Sequence, residues 1–129
     1  MTNINHEFAT LAQQLKKSQL LTFSVDAGLT TVYLEFATHN GDVDIQVRFG
    51  RVVVLNLFKE ADDVDSFYIV AARSEVIEDE TDELFRSLRR QSEQLHQILT
   101  GITARPLYHL YVEGDMNLDL VATDYERII

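Results

Sequence analysis

No cysteine occurs among the 129 residues, which excludes disulfides, thiolate metal sites and cysteine nucleophiles and suits a reducing compartment. Proline occurs once and glycine five times, so no Gly-rich phosphate loop can be assembled. The patterns GxSxG, SxxK, HExxH and HxH are missing as well, which removes the common nucleophile and zinc signatures. The longest aliphatic run is Val52-Val53-Val54-Leu55, far short of the roughly 20 residues that a spanning helix needs. No membrane partner is therefore expected. The opening Thr2-Asn3-Ile4-Asn5-His6-Glu7 has no basic patch ahead of an apolar stretch, so no secretory signal is expected and the cytoplasm is the expected location. Positive charge is scarce: 11 Lys and Arg stand against 21 Asp and Glu, a net charge of −10. Nucleic-acid affinity rests on cationic contacts, so no nucleic-acid partner is expected.

What remains is ordinary globular composition, 46% hydrophobic, and one domain over residues 1–129 is the natural expectation. Ile4, Phe8, Leu11 and Leu15 recur at helical spacing, predicting an amphipathic helix over Asn5 to Ser18 with Asn3 or Asn5 as its cap. After Leu20 the period drops to two. Leu21, Phe23 and Val25 alternate with polar residues, then Val32, Leu34 and Phe36, then Val43, Ile45, Val47 and Phe49. Asn40-Gly41 between two such runs is a strong hairpin signal. It predicts the pairs Phe36–Ile45, Leu34–Val47 and Val32–Phe49 on one face, with Glu35–Gln46 and Tyr33–Arg48 on the other.

Gly50-Arg51 suggests another two-residue turn, leading into a strand Val52–Phe58 with Val54 opposite Val47 and Val52 opposite Phe49. That arrangement puts Val53, Leu55 and Leu57 on the second face. A strand apolar on both sides needs cover on both, here a helix of this chain or a second copy in a homodimer through Val53, Leu55 and Leu57. Ser66–Ile77 reads as a fifth strand. A second helix is expected from Thr81 to Thr100, striped by Leu84, Leu88, Gln91, Leu95 and Ile98 and closed by Gly101. Leu107–Glu113 and Met116–Ala122 flank Gly114-Asp115, predicting a hairpin with Tyr111 facing Leu118 and His109 facing Leu120. Tyr125–Ile129 would extend its last strand past a bulge near Thr123-Asp124. The expected fold is α+β: a mainly antiparallel sheet in the order helix, five-strand meander, helix, C-terminal β-hairpin, with the helices packed on the sheet.

Chemistry-bearing residues are sparse. The histidines, His6, His39, His96 and His109, include no pair at metal-ligand spacing. His39 beside Asp42 and Asp44 reads as a solvated hairpin turn. Asp62-Asp63-Val64-Asp65 lacks the glycine that a calcium loop needs for its sharp turn. Arg86, Arg89 and Arg90 read as partners of Asp82, Glu83 and Glu93 along one helix. No metal, no cofactor and no catalytic residue are expected. The sole candidate for a small-ligand or hydrolytic site is the neighbourhood of His109 and Tyr111.

The charge itself is localised. Residues 60–83 carry ten acids and one base, Arg73, and so hold −9 of the net −10. Glu60, Asp62, Asp63, Asp65, Glu78, Asp79 and Glu80 are accordingly the candidate residues for binding a basic protein partner, because concentrated charge speeds encounter and sets orientation. In general character (small, acidic, cysteine-free, α+β) the chain is similar to bacterial immunity proteins and to small secretion chaperones. That likeness implies a non-catalytic interaction domain.

Overall fold

The computed structural model describes residues 4–28, 30–38, 42–59, 67–77 and 106–129. One helix, α1 (Ile4–Leu15), precedes six strands: β1 (Gln19–Val25), β2 (Thr31–Ala37), β3 (Ile45–Lys59), β4 (Phe67–Ile77), β5 (Leu107–Gly114) and β6 (Met116–Arg127). All neighbouring strands pair antiparallel, and they close into a barrel in the order β1-β2-β3-β6-β5-β4. The expected α+β class and antiparallel sheet are therefore present. The expected element order is not, because the meander ends at β3 and only one helix occurs among the described residues. Thr81–Thr100, the acidic loop, His39, His96 and the Asn40-Gly41 turn lie outside the described residues.

The β2–β3 register agrees with expectation at every named pair: Phe36↔Ile45, Glu35↔Gln46, Leu34↔Val47, Tyr33↔Arg48 and Val32↔Phe49. Alternation explains this, since Val32, Leu34, Phe36, Ile45, Val47 and Phe49 are all buried on the inner face. A one-residue slip would turn the three apolar side chains of one strand out to solvent.

Gly50-Arg51 is not a turn. β3 continues straight through it, and the strand beyond pairs with β6, as in Gly50↔Asp124, Val52↔Ala122 and Leu57↔Leu118. Arg51 takes a positive φ of 50°, and the register shifts between Val52 and Val54, leaving Val53 as an extra residue on β3. A positive φ near a glycine serves a bulge as well as a reversal. The bulge also dismantles the expected Val53, Leu55, Leu57 face. Val52 and Leu55 pack against the barrel core, whereas Val53 and Val54 pack with Ile77, Leu107 and Val121 on the outside. The three residues named for a dimer contact thus do not share a face.

At the C-terminal hairpin the register is one residue away from expectation. Tyr111 opposes Asp119 and His109 opposes Val121, while Leu110 meets Leu120 and Val112 meets Leu118. The reason is a clamp from β4. The Asp115 amide donates to the Tyr68 carbonyl at 3.1 Å, and the Tyr68 amide donates to Asp115 Oδ2 at 3.0 Å. A Cβ on Gly114 would collide with the Tyr68 carbonyl oxygen and lie 3.1 Å from the Ile69 Cα. Glycine is required there by close approach of another strand rather than by turn type.

The helix completes the barrel. β1 and β4 pair at two positions, Gln19↔Tyr68 and Leu20↔Phe67, and α1 fills the seam beyond them. The Ala12 amide donates to Ser74 Oγ at 3.1 Å, and Ser74 Oγ donates to the Ala9 carbonyl at 3.3 Å. Lys17 ends the helix at φ 66°, with its amide on the Ile69 carbonyl at 3.0 Å. Phe8, Leu11, Ala12 and Leu15 form the buried stripe. Of the two expected caps, Asn3 lies outside the described residues, and Asn5 lies inside the helix and accepts from the Tyr108 hydroxyl at 3.0 Å. Phe8 sits edge-on to Phe49, Tyr108 and Tyr125 at centroid distances of 5.9, 5.2 and 4.8 Å, the geometry that ring quadrupoles favour.

Two outcomes test this packing. Gly114→Ala is expected to lower stability by about 3 kcal/mol, because the backbone of β4 must shift; an unchanged urea midpoint would refute the clamp. Tyr125 OH is buried with no hydrogen-bond partner among the described residues, and burial pushes its phenol up to about 12, above the roughly 10 of an unfolded tyrosine. The folded chain thus keeps a proton that the unfolded chain releases. Its contribution is complete below pH ~10 and is lost as pH rises toward 12. Tyr125→Phe should gain about 1 kcal/mol at neutral pH, by deleting an unsatisfied hydroxyl, and should flatten the alkaline decline. Identical urea-unfolding profiles from pH 8 to 12 for the two proteins would contradict this.

Candidate functional site

The outer face of β3, β6, β5 and β4 carries the side chains that point away from the core. The inward residues of β5 and β6 are Tyr108, Leu110, Val112, Leu118, Leu120 and Ala122. Strand alternation therefore turns His109, Tyr111, Asn117, Asp119 and Val121 outward. On β3 the bulge brings Asn56 and Phe58 to the same side, and Arg73 of β4 joins them as the partner of Tyr111.

This face is graded. At one end Ile77, Leu107 and Val121 are buried, with Val53 and Val54 packed against them. In the middle stands His109, 8% exposed, with Nε2 2.6 Å from Asp119 Oδ1. A carboxylate only accepts, so Nε2 carries the donated proton. At the far end a cleft of about 170 Å³ is lined by Asn56, Leu57, Phe58, Tyr111, Asn117, Leu118 and Asp119. The Arg73 guanidinium lies 5.6 Å from the centre of the Tyr111 ring, and the Tyr111 hydroxyl donates to Glu113 at 3.4 Å.

The pairing expected for His109, against Leu120 in the interior, is thus corrected: it faces outward and holds a carboxylate. His109 and Tyr111 do lie on one face, as the ligand-site alternative requires. A His–Asp pair can relay a proton, but among the described residues Asp119 is the sole hydrogen-bond partner of His109, and none of them stands beside it as an activated nucleophile. No cluster of three metal-ligating side chains occurs among the described residues, and none of their helices is long and apolar enough to cross a membrane. The seven acidic candidates, Glu60, Asp62, Asp63, Asp65, Glu78, Asp79 and Glu80, lie outside the described residues.

A second cleft, of about 320 Å³, is lined by Gln14, Thr38, Asp44, Ile45 and Arg127. Its charges are engaged within the chain. Asp44 accepts from the Thr38 amide at 3.0 Å and from its hydroxyl, and Arg127 donates to Gln14 Oε1 at 2.6 Å and to the Ile129 carbonyl at 2.8 Å. Arg48, which stands opposite Tyr33 as expected, pairs with Glu126 at 3.1 Å and Asp124 at 3.3 Å. The guanidinium–ring contact belongs to Arg73 and Tyr111. Nothing in the spacing of these two residues announces it, because their adjacency is made by the β4–β5 ladder.

No family model and no curated protein matches the chain. Among solved structures it is similar to an uncharacterized protein from Neisseria gonorrhoeae, at 7% sequence identity and a TM-score of 0.48, over 88% of this chain and 92% of that one.

The His109–Asp119 contact, buried at the imidazole and half-exposed at the carboxylate, makes a stability prediction. Asp119→Ala leaves the His109 ring without its acceptor and should cost about 2 kcal/mol, whereas replacing both residues by leucine should cost clearly less than that single change. Urea unfolding of the single and double variants checks this; a double variant as unstable as Asp119→Ala would contradict it.

Proposed function

We propose that this chain is a non-catalytic protein-interaction domain that docks a basic partner in the cytoplasm. The carrying observation is where its exposed apolar side chains lie. Among the described residues the two most exposed large hydrophobics are Phe58 (67%) and Val70 (69%), with Leu57 one position and Tyr68 two positions away. These four flank the acidic run of Glu60, Asp62, Asp63 and Asp65 on either side. Exposed apolar anchors beside concentrated charge of one sign are a common composition for a docking surface. The acids steer and orient a cationic partner, and the apolar groups supply the desolvated contact. The net charge held by residues 60–83, Glu78, Asp79 and Glu80 included, gives the partner its sign. The cysteine-free composition suits the reducing compartment named here.

A second reading, a small-ligand or hydrolytic site at His109 and Tyr111, is favoured by the His109–Asp119 pair and the cleft beside it. Turnover of ester or glycoside substrates that is lost in His109→Gln would select that reading.

The docking reading is tested with an amphipathic peptide rich in Lys and Arg, titrated against the chain by fluorescence anisotropy. Binding should weaken at least about tenfold between low and high salt. It should weaken again by about tenfold when Glu60, Asp62, Asp63 and Asp65 become their amides, and in Phe58→Ala/Val70→Ala. Salt-independent binding, or affinity unchanged in both variants, would overturn it.

A further inference from the structure

We propose that the cleft between β3, β6 and β5 receives an arginine side chain of the basic partner, with Asp119 as its counter-ion and Phe58 and Tyr111 as its aromatic walls. The inference rests on the docking reading and names where one partner residue enters. Four observations carry it.

The first is charge. The Asp119 side chain is 43% exposed, and its Oδ1 is held by His109 at 2.6 Å. The bond fixes the carboxylate while Oδ2 has no partner among the described residues. A carboxylate oriented by one bond and open at its second oxygen is preorganised for a cation.

The second is the lining. Asn56 pairs across the ladder with Asp119, and Asn117 pairs with Phe58; their amide oxygens can accept the remaining N–H groups of a guanidinium. Phe58 and Tyr111 offer ring surface. A planar fork that stacks on rings and pairs with carboxylates is arginine rather than lysine.

The third is precedent within the chain. Arg73 already rests 5.6 Å from the Tyr111 ring centre, approaching from β4. β5 lies between β4 and β6, so the cleft meets the same ring from the opposite side. The fourth is size. At about 170 Å³ the cleft is smaller than the roughly 300 Å³ and upward of sites for whole small molecules. It matches one long side chain.

The test is an NMR titration of the full chain with a basic peptide carrying a single arginine, and with the same peptide carrying citrulline, which keeps the shape and removes the charge. The expected result is movement of the Asn56 and Asn117 side-chain amide and Tyr111 ring signals with the arginine peptide. Affinity should fall about tenfold for citrulline and for Asp119→Asn, as expected for loss of one charged hydrogen-bonded pair. Phe58→Ala, a change at an exposed side chain that leaves the core intact, should weaken binding about threefold. Equal affinity for the two peptides, or Asp119→Asn and Phe58→Ala both without effect, would overturn the assignment. If those two variants bind normally while the amide variant of Glu60, Asp62, Asp63 and Asp65 releases the peptide, the docking reading stands and the cleft assignment falls. If the arginine peptide gives no signal change anywhere on the chain, both fall.

Discussion

The ladder between β3 and β6 is the constraint on which the rest of the structure depends. It joins Val47–Lys59 to Met116–Arg127 and is the longest pairing in the barrel. Its first half shares β3 with β2, and its second half shares β6 with β5. Between the halves both strands change the face they present. Phe49 and Val52 both reach the core, as do Ala122 and Tyr125. Inward residues three apart are incompatible with a period of two unless the strand is locally irregular. Arg51 at positive φ and the extra Val53 supply that irregularity on β3. The outside of the barrel consequently has two characters: Arg48, Asp124 and Glu126 form an ionic cluster on one half, and the aromatic and amide cleft occupies the other.

Closure depends on α1 more than on strand pairing. Two residue pairs between β1 and β4 would leave backbone groups of β4 open, and an open edge invites pairing with other chains. The helix end occupies Ile69 instead, with the Lys17 amide on its carbonyl and its amide on the Ser18 carbonyl at 2.9 Å. Ser74, a small polar residue in an otherwise apolar stripe, lets the helix approach and bonds to its backbone. Phe8 then reaches rings from three strands, Phe49, Tyr108 and Tyr125. Isolated helices of about 12 residues are marginal in water, so it is this contact with the barrel that stabilises the helix, while the helix in turn covers the seam.

Legibility in the sequence followed how unequal the two faces of each strand are. In β2 and the first half of β3 one parity is apolar and the other polar, so the register could be read residue by residue. The α1 stripe was legible for the same reason. Beyond Gly50 the parities of β3 are both aliphatic, and nothing in Val52-Val53-Val54-Leu55 distinguishes a bulge from continued alternation. β5 is equally ambiguous, because Leu107, His109 and Tyr111 compete with Tyr108, Leu110 and Val112 for the interior. The clamp that decides the matter joins Tyr68 to Asp115, 47 positions apart, and leaves no local signature. Of the candidate site, His109 and Tyr111 were visible as residues of interest, but Asn56, Phe58, Asn117, Asp119 and Arg73 become neighbours only through the ladders.

That choice of register on β5 also determines why a polar cleft exists. With Tyr111 against Leu118 and His109 against Leu120, the imidazole would enter the barrel while Asp119 stayed outside. A buried ring nitrogen without a partner costs more than the apolar area its ring removes from water. Leu110 and Val112 would at the same time be turned out to solvent. The observed register, one residue away, buries Leu110 and Val112 fully and gives His109 the carboxylate beside it. The same step lines up Tyr111, Asp119 and Asn56 across three adjacent strands, with Arg73 on the fourth. The side chains that could engage a cation therefore meet on one surface as a consequence of how the core is satisfied. A change that slipped this hairpin would abolish core and cleft together, so the exposed Phe58 is the position from which the cleft can be altered without touching the core.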